Sequence, residues 1–287
     1  MKLLQIPEGL RTKALDIADG IDDVLIYGET CYGSCDLPIH VAKALKCDKI
    51  IHYGHSKFMD SEIPVEYKEI REDYDPVPVL ENEIGKIKED KIGLVSALQF
   101  LDSLEKAKKF LESKGKKVII GKGSFNDGQI LGCDVSAGKS IENDIDVFLY
   151  IGSGKFHPLG LALETKKPVW VLDVEKQEIK DLEELKEKFI KQRYAAIALA
   201  KDAKKFGIFV SIKAGQMKIE LAKKIKENLV KKEKKAYILI FDEIKPEKLL
   251  GYDLDCFINT ACPRIVIEDR TRFGKPILNP NEIESFI

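Results

Sequence analysis

Two rhythms of apolar residues alternate along the chain. Short runs rich in β-branched and aromatic residues occur at Val24-Leu25-Ile26-Tyr27, Lys49 to Tyr53, Ile92 to Ser96, Val118 to Ile120 and Asp146 to Ile151. Further runs follow at Pro168 to Leu172, Gly207 to Ile212, Ala236 to Phe241 and Cys256 to Asn259. Each predicts a strand, with Ala236 to Phe241 expected to be a buried one and Pro64 to Tyr67 an edge addition. Between the runs, apolar residues recur at helical spacing. Leu10, Ala14, Leu15 and Ala18 predict a helix over 8–18, and Phe100, Leu104, Ala107 and Leu111 predict one that stops at Gly115. Short helices are expected from Pro38 and over 158–165, a long one over 182–204, and a Lys-rich one with Met217, Leu221, Ile225 and Leu229 as its buried stripe.

Strands alternating with helices throughout predict an α/β fold. Three segments share a finer pattern of Asp, an apolar run, then small or polar residues. They begin at Asp48, Asp146 and Asp255 and end in Gly54-His55-Ser56, Gly152-Ser153-Gly154 and Thr260-Ala261-Cys262. The economical reading is three similar small α/β domains with short parallel sheets, residues 1–90, 91–175 and 176–287. A single larger α/β sheet is the alternative.

Composition narrows the function classes. With 287 residues, 44% of them apolar, the chain can build substantial cores. A net charge of -1 gives no overall field for nucleic acid or an anionic membrane, so no direct nucleic-acid role is expected. The amino end lacks the apolar core of a signal peptide and no apolar run is long enough to span a bilayer, so a cytoplasmic protein is expected. In a reducing compartment its six cysteines are buried hydrophobes, nucleophiles or metal ligands rather than structural disulfides. Cys47 and Cys256 read as buried and inert.

Three cysteines stand apart. Cys35 follows a strand in the loop Gly28-Glu29-Thr30-Cys31-Tyr32-Gly33-Ser34-Cys35-Asp36, Cys133 closes a Gly-rich loop after Val118 to Ile120, and Cys262 follows Cys256 to Asn259. The carboxyl ends of strands are where open α/β sheets bind ligands. Other motifs fall short. Ser136-Ala137-Gly138-Lys139-Ser140 has Cys133 where a P-loop needs its first Gly. Gly152-Ser153-Gly154 lacks the third Gly of a dinucleotide site, and Cys31 and Cys35 have no second close pair to complete a zinc site. Cysteines so far apart in sequence either meet at one point, where three thiolates suit a cubane iron–sulfur cluster with one iron open to substrate, or are three unrelated buried thiols.

Motifs spread over nearly the whole chain resemble one family. They are Tyr32-Gly33-Ser34-Cys35-Asp36, Gly54-His55-Ser56, Leu131-Gly132-Cys133, Ile151 to Gly160, Asp202 to Gly207, Ser211-Ile212-Lys213-Ala214-Gly215-Gln216 and Ala261-Cys262-Pro263-Arg264. In this order they resemble the diphthamide-synthesis family of 2-(3-amino-3-carboxypropyl)histidine synthases. The resemblance implies a triplicated α/β fold, pseudo-threefold about a central [4Fe-4S] cluster held by Cys35, Cys133 and Cys262, with Cys31 a neighbour rather than a ligand. It implies a transferase that cleaves S-adenosylmethionine to a 3-amino-3-carboxypropyl radical and methylthioadenosine, and adds that group to a histidine of translation elongation factor 2. It also implies a homodimer and an electron donor. Gly152, Ser153, Gly154, His157 and Gln216 are the candidates to hold S-adenosylmethionine. For His157 a helix-start role bonded to backbone is the alternative, His55 reads as structural, and Arg264 either pairs with an acid or faces substrate. The rival readings are a quinolinate synthase-like enzyme, which has a similar three-unit plan, and a non-catalytic iron–sulfur accessory subunit.

Overall fold

In the computed structural model, which describes residues 1–284, the strands fall into three separate short sheets. The first has the order β2-β1-β3-β4, from β1 (Lys2–Gln5), β2 (Val24–Tyr27), β3 (Lys49–Tyr53) and β4 (Val65–Lys68). The second has the order β6-β5-β7-β8-β9, from β5 (Lys91–Ser96), β6 (Lys117–Ile120), β7 (Val147–Gly152), β8 (Val169–Asp173) and β9 (Glu178–Asp181). The third has the order β11-β10-β12-β13, from β10 (Lys205–Ser211), β11 (Lys235–Phe241), β12 (Cys256–Asn259) and β13 (Ile277–Leu278). Pairing is parallel at β1 with both neighbours, throughout the third sheet and over most of the second, where β9 alone runs antiparallel. The three-sheet expectation holds, and the single-sheet alternative does not.

The chain forms two compact units. One comprises residues 1–52, 58–66 and 189–287, and the other residues 53–57 and 67–188. In the first unit, alternate residues of β10 face opposite ways: Phe206, Ile208 and Val210 pack with Ala222, Ile225 and Leu229 of the helix Ile219–Lys231, while Phe209 packs with Phe257, Val266 and Phe273. This is the period-two pattern of a strand covered on both faces. In the second unit Leu104, Ala107 and Leu111 of the helix Ser103–Ser113 close over Leu94, Val118, Val147 and Leu149. Gly115, at φ +85°, ends that helix in a backbone conformation that costs glycine little.

Several expectations need correction. Lys2–Gln5 is an inner strand of the first sheet, although its short run flanked by Lys2 and Gln5 carries no alternation. The expected 8–18 helix is a 3₁₀ turn followed by Ala14–Asp19, and Leu15 points outward, 70% exposed. β11 is an edge strand rather than a buried one, with Tyr237 and Ile240 exposed. Met217 precedes its helix and is exposed, so the buried stripe is Ala222, Ile225 and Leu229. Cys47 and Cys256 are buried in apolar clusters, as expected, and burial pushes the Cys256 thiol up to about 12. Among the described residues no helix is long and apolar enough to cross a membrane.

Candidate functional site

In the first unit, three loops leave the carboxyl ends of parallel strands: 28–36 after β2, 212–216 after β10 and 260–264 after β12. Cys35 sits half-buried in the first. The 212–216 turn closes on it: Gly215 N–H donates to Cys35 O at 2.8 Å, and Gln216 Nε2 donates to Cys35 Sγ at 3.4 Å. A Cβ on residue 215 would lie 2.7 Å from both Cα and Cβ of Cys35, so only glycine admits this approach.

A buried ion pair fixes the same loop. Lys213 Nζ meets Asp36 Oδ1 at 2.6 Å, with both side chains below a tenth exposed. Asp36 Oδ2 accepts from Tyr32 N–H at 3.3 Å, and Asp36 O accepts from Gln5 Nε2 at 2.7 Å. Gln5 Oε1 in turn meets His52 Nδ1 at 2.7 Å. Burial raises the Asp36 carboxyl above its ordinary range, and Lys213 opposes that shift. The Tyr32 ring has the Lys213 ammonium and the Arg264 guanidinium within about 6 Å of its centre, and its hydroxyl donates to Glu243 at 2.6 Å. Through Tyr32 and Arg264 the Cys35 and Cys262 loops are neighbours.

The Cys262 loop is shaped by Asn259, buried at the end of β12. Its Nδ2 donates to Cys262 O at 2.9 Å, and its Oδ1 accepts from Ala261 N–H at 3.1 Å. Beyond Pro263 the backbone enters a π-helical turn, Ile265–Asp269, where Arg264 Nε donates to Glu268 at 2.5 Å. Arg264 thus pairs with an acid. Cys31 is buried, its thiol pushed up to about 12 by desolvation; burial also raises Cys35, against the Gln216 hydrogen bond. The thiolate rather than the thiol is the metal ligand, so a metal held at Cys35 would bind with loss of a proton, against the burial that raises the thiol.

The second unit carries Cys133, exposed in the loop that leads to the short helix Ser136–Lys139. Asp134 precedes that helix, its Oδ1 accepting from Ser136 N–H at 3.0 Å, and Leu131 N–H donates to Asp134 O at 2.7 Å. Gly132 lies under the Phe156 ring, where a Cβ would come within 2.2 Å, and Gly160 packs against Gly132 O. The helix Phe156–Glu164 therefore positions the Cys133 loop. Behind that loop, Ser56 Oγ and Asn126 Nδ2 donate to buried Gln129 Oε1 at 3.1 and 2.7 Å.

Gly152, Ser153 and Gly154 form the turn from β7 into this helix. Tyr150 OH donates to Ser153 O at 3.3 Å, and a Cβ on residue 152 would meet that hydroxyl at 2.6 Å. The His157 and Phe156 rings lie 5.5 Å apart. Ser153 and His157 line a cavity of about 560 Å³ together with Tyr74, Gln99, Phe100 and Tyr150. His55, in the same unit, is held below its ordinary imidazole value by burial, which suits a structural role.

The residues singled out from sequence therefore divide between the units. Cys35, Cys262 and Gln216 lie in the first, and Cys133, Gly152, Ser153, Gly154 and His157 in the second. Sequence reasoning passed over Asp36, Lys213, Tyr32 and Asn259. Each stands within three residues of a residue that was singled out, but ion pairing between residues this far apart in the chain leaves no local pattern.

Comparison with known proteins agrees with this chemistry. The chain matches the family described as "Putative diphthamide synthesis protein" over residues 6–287. It is 38% identical over 292 residues to the 2-(3-amino-3-carboxypropyl)histidine synthase of Pyrococcus horikoshii, covering 98% of this chain and 84% of that protein. It is 34% identical over 311 residues to the enzyme of the same name from Methanocaldococcus jannaschii, covering 99% and 84%. The crystal structure of Dph2 from Pyrococcus horikoshii with a 4Fe-4S cluster superposes with a TM-score of 0.90 at 37% identity, over 99% of this chain and 85% of that one. The α/β plan of three short sheets, the cysteines in loops that follow strands and a match over nearly the full length agree, and the chain belongs to the diphthamide synthesis family.

Proposed function

We propose that the chain is a 2-(3-amino-3-carboxypropyl)histidine synthase, which transfers the 3-amino-3-carboxypropyl group of S-adenosylmethionine to C2 of a histidine imidazole in translation elongation factor 2, the first step of diphthamide synthesis. The observation that carries the reading is the family match over residues 6–287 in a chain with Cys35, Cys133 and Cys262 in loops that follow strands. Residues 1–90, 91–175 and 176–287 act as three modules, each supplying one of these cysteines as a ligand to a [4Fe-4S] cluster. When bound, the cluster supplies the electron that breaks the bond between the sulfonium and the methionine Cγ, releasing methylthioadenosine and the 3-amino-3-carboxypropyl radical.

The protein's own part is binding and orientation, because the carbon aligned for cleavage decides the product. Gly152, Ser153 and Gly154 offer backbone N–H groups and a small hydroxyl to the carboxylate of the methionine end. His157 and Gln216 add side-chain polar atoms. Tyr150, behind the Gly152 turn, fixes its shape through Ser153 O. The Lys213–Asp36 pair and the Gly215 contact hold Cys35 in place before any ligand arrives. The enzyme works in the cytoplasm as a homodimer and draws its electron from a one-electron donor.

Anaerobic reconstitution of the chain with iron and sulfide tests this reading, followed by reduction and addition of S-adenosylmethionine with unmodified elongation factor 2. Methylthioadenosine and a factor heavier by one 3-amino-3-carboxypropyl group on histidine are the expected products. A loaded, reduced chain that leaves the factor unmodified refutes it.

A further inference from the structure

The turn that follows β10 touches Cys35 at two atoms. Gly215 N–H holds the Cys35 carbonyl, and the side chain of the next residue, Gln216, directs Nε2 at Cys35 Sγ from 3.4 Å. This arrangement is rigidly built. Gln216 N–H closes the turn on Lys213 O at 2.9 Å, Lys213 is paired with Asp36, and Gly215 lies too close to Cys35 for any side chain to intervene. Gln216 is 8% exposed, so little water competes for the sulfur or screens the amide dipole.

We propose that Gln216 is a positioning residue that sets the reduction potential of the iron–sulfur centre by donating a side-chain N–H to the sulfur of Cys35. The proposal rests on Cys35 being a cluster ligand. One electron from a one-electron donor adds one negative charge to a cluster, and that charge is shared with its thiolate sulfurs. An N–H dipole aimed at one of them stabilises the more negative state more than the less negative one, so reduction becomes easier. A Gln amide carries two N–H groups and a carbonyl oxygen. Contact with the sulfur therefore leaves it able to meet the methionine end of the substrate as well.

Wild type, Gln216→Met and Gln216→Glu are reconstituted and titrated with dithionite, the reduced cluster being followed by electron paramagnetic resonance. Methionine keeps the length of the side chain and removes the donor; glutamate removes the donor and adds a negative charge. At a fixed ambient potential the reduced-to-oxidised ratio should fall about threefold to tenfold in Gln216→Met, the upper limit being a 59 mV shift of a one-electron couple. It should fall further in Gln216→Glu. Iron content per chain should match wild type, and the resonance Raman bands of the iron–thiolate bonds should shift in both variants. Unmoved midpoints in fully loaded variants overturn the proposal alone. Absence of cluster from both variants assigns Gln216 a purely structural role and overturns it too, whereas a wild type that takes up no cluster overturns the ligand assignment along with it.

Discussion

Removing Lys213 tests whether the Cys35 loop is held by charge. In Lys213→Met the Asp36 carboxylate loses its 2.6 Å partner and keeps the hydrogen bond from Tyr32 N–H, while the Gln5 amide still holds the Asp36 backbone carbonyl. Breaking a buried pair in this way costs about 3–5 kcal/mol, because the remaining charge is left desolvated. Asp36 has an escape, since it can take a proton. Starting from an unfolded carboxyl of pKa about 3.9, protonation at pH 7 costs about 4 kcal/mol, which caps the penalty. The expected loss at pH 7 is thus about 3–4 kcal/mol, and at about 2–4 °C per kcal/mol the melting temperature should drop by about 6–16 °C.

The sign of the pH dependence follows from the same carboxyl. Burial already raises Asp36 in the native protein, and loss of Lys213 raises it further. A folded-state pKa above the unfolded one favours folding below the unfolded pKa, and that advantage disappears as pH rises through the folded value. The gap between Lys213→Met and wild type should therefore be widest at pH 7. It should narrow as pH falls from 7, by at most about 1.4 kcal/mol per unit, until wild type takes up the same proton. Urea unfolding of both proteins without the cluster, followed by circular dichroism at pH 7, 5.5 and 4.5, measures it. The double variant Asp36→Leu with Lys213→Met, which removes both charges, should recover most of the loss. A gap under about 1 kcal/mol at pH 7, or one that persists unchanged at pH 4.5, refutes the reasoning.

Gly215→Ala should push the 212–216 turn off Cys35 and cost about 1–3 kcal/mol, with an accompanying fall in the iron retained on reconstitution; equal iron and equal urea midpoints would count against the contact. Cys35→Ala, Cys133→Ala and Cys262→Ala should each lose the cluster's visible absorbance, whereas Cys47→Ala, in an apolar cluster of the first sheet, should keep it and lose only about 1 kcal/mol of stability. Burial alone would raise Glu69, but hydrogen bonds from Ser56, Arg71 and Asn126 outweigh it and hold the carboxyl below its ordinary range. Its contribution is present above the unfolded value near 4.3 and lost as pH falls through the folded one, so the stability gap between Glu69→Gln and wild type should shrink as pH falls below about 4.3; a gap that is the same at pH 7 and under acid conditions is the contrary result.

How far the sequence could be read depended on where each signal is written. Strands β5, β7 and β10 were legible because Leu94, Phe148 and Phe209 sit in apolar runs of strand length. Helices were legible where one face is buried and the other solvated, as at Leu104, Ala107 and Leu111. β1 was not, because it has only two core leucines between Lys2 and Gln5, and its inner place in the sheet comes from partners far along the chain. β11 misled for the opposite reason: an apolar run does not say whether its strand is flanked on both sides, and Ile240 is 62% exposed on an edge. Cys35, Cys133 and Cys262 lie in loops that follow strands, whereas Cys47, between Lys46 and Asp48, and Cys256, at the start of β12, are buried in apolar clusters that the sequence around them does not mark.

The polar frame of the Cys35 loop shows why composition and motif spacing stop short of a site. Gln5, His52, Asp36 and Lys213 come from β1, β3, the loop after β2 and the loop after β10. They are joined by Asp36, which presents its backbone carbonyl to Gln5 and its carboxylate to Lys213. A buried carboxylate in such a frame is costly unless every partner is in place. Folding of the first unit therefore sets the geometry of Cys35 through contacts between residues remote in sequence. The same frame gives Gln216 a fixed distance to the sulfur, and fixed distance is what an amide dipole needs in order to act on charge at that atom.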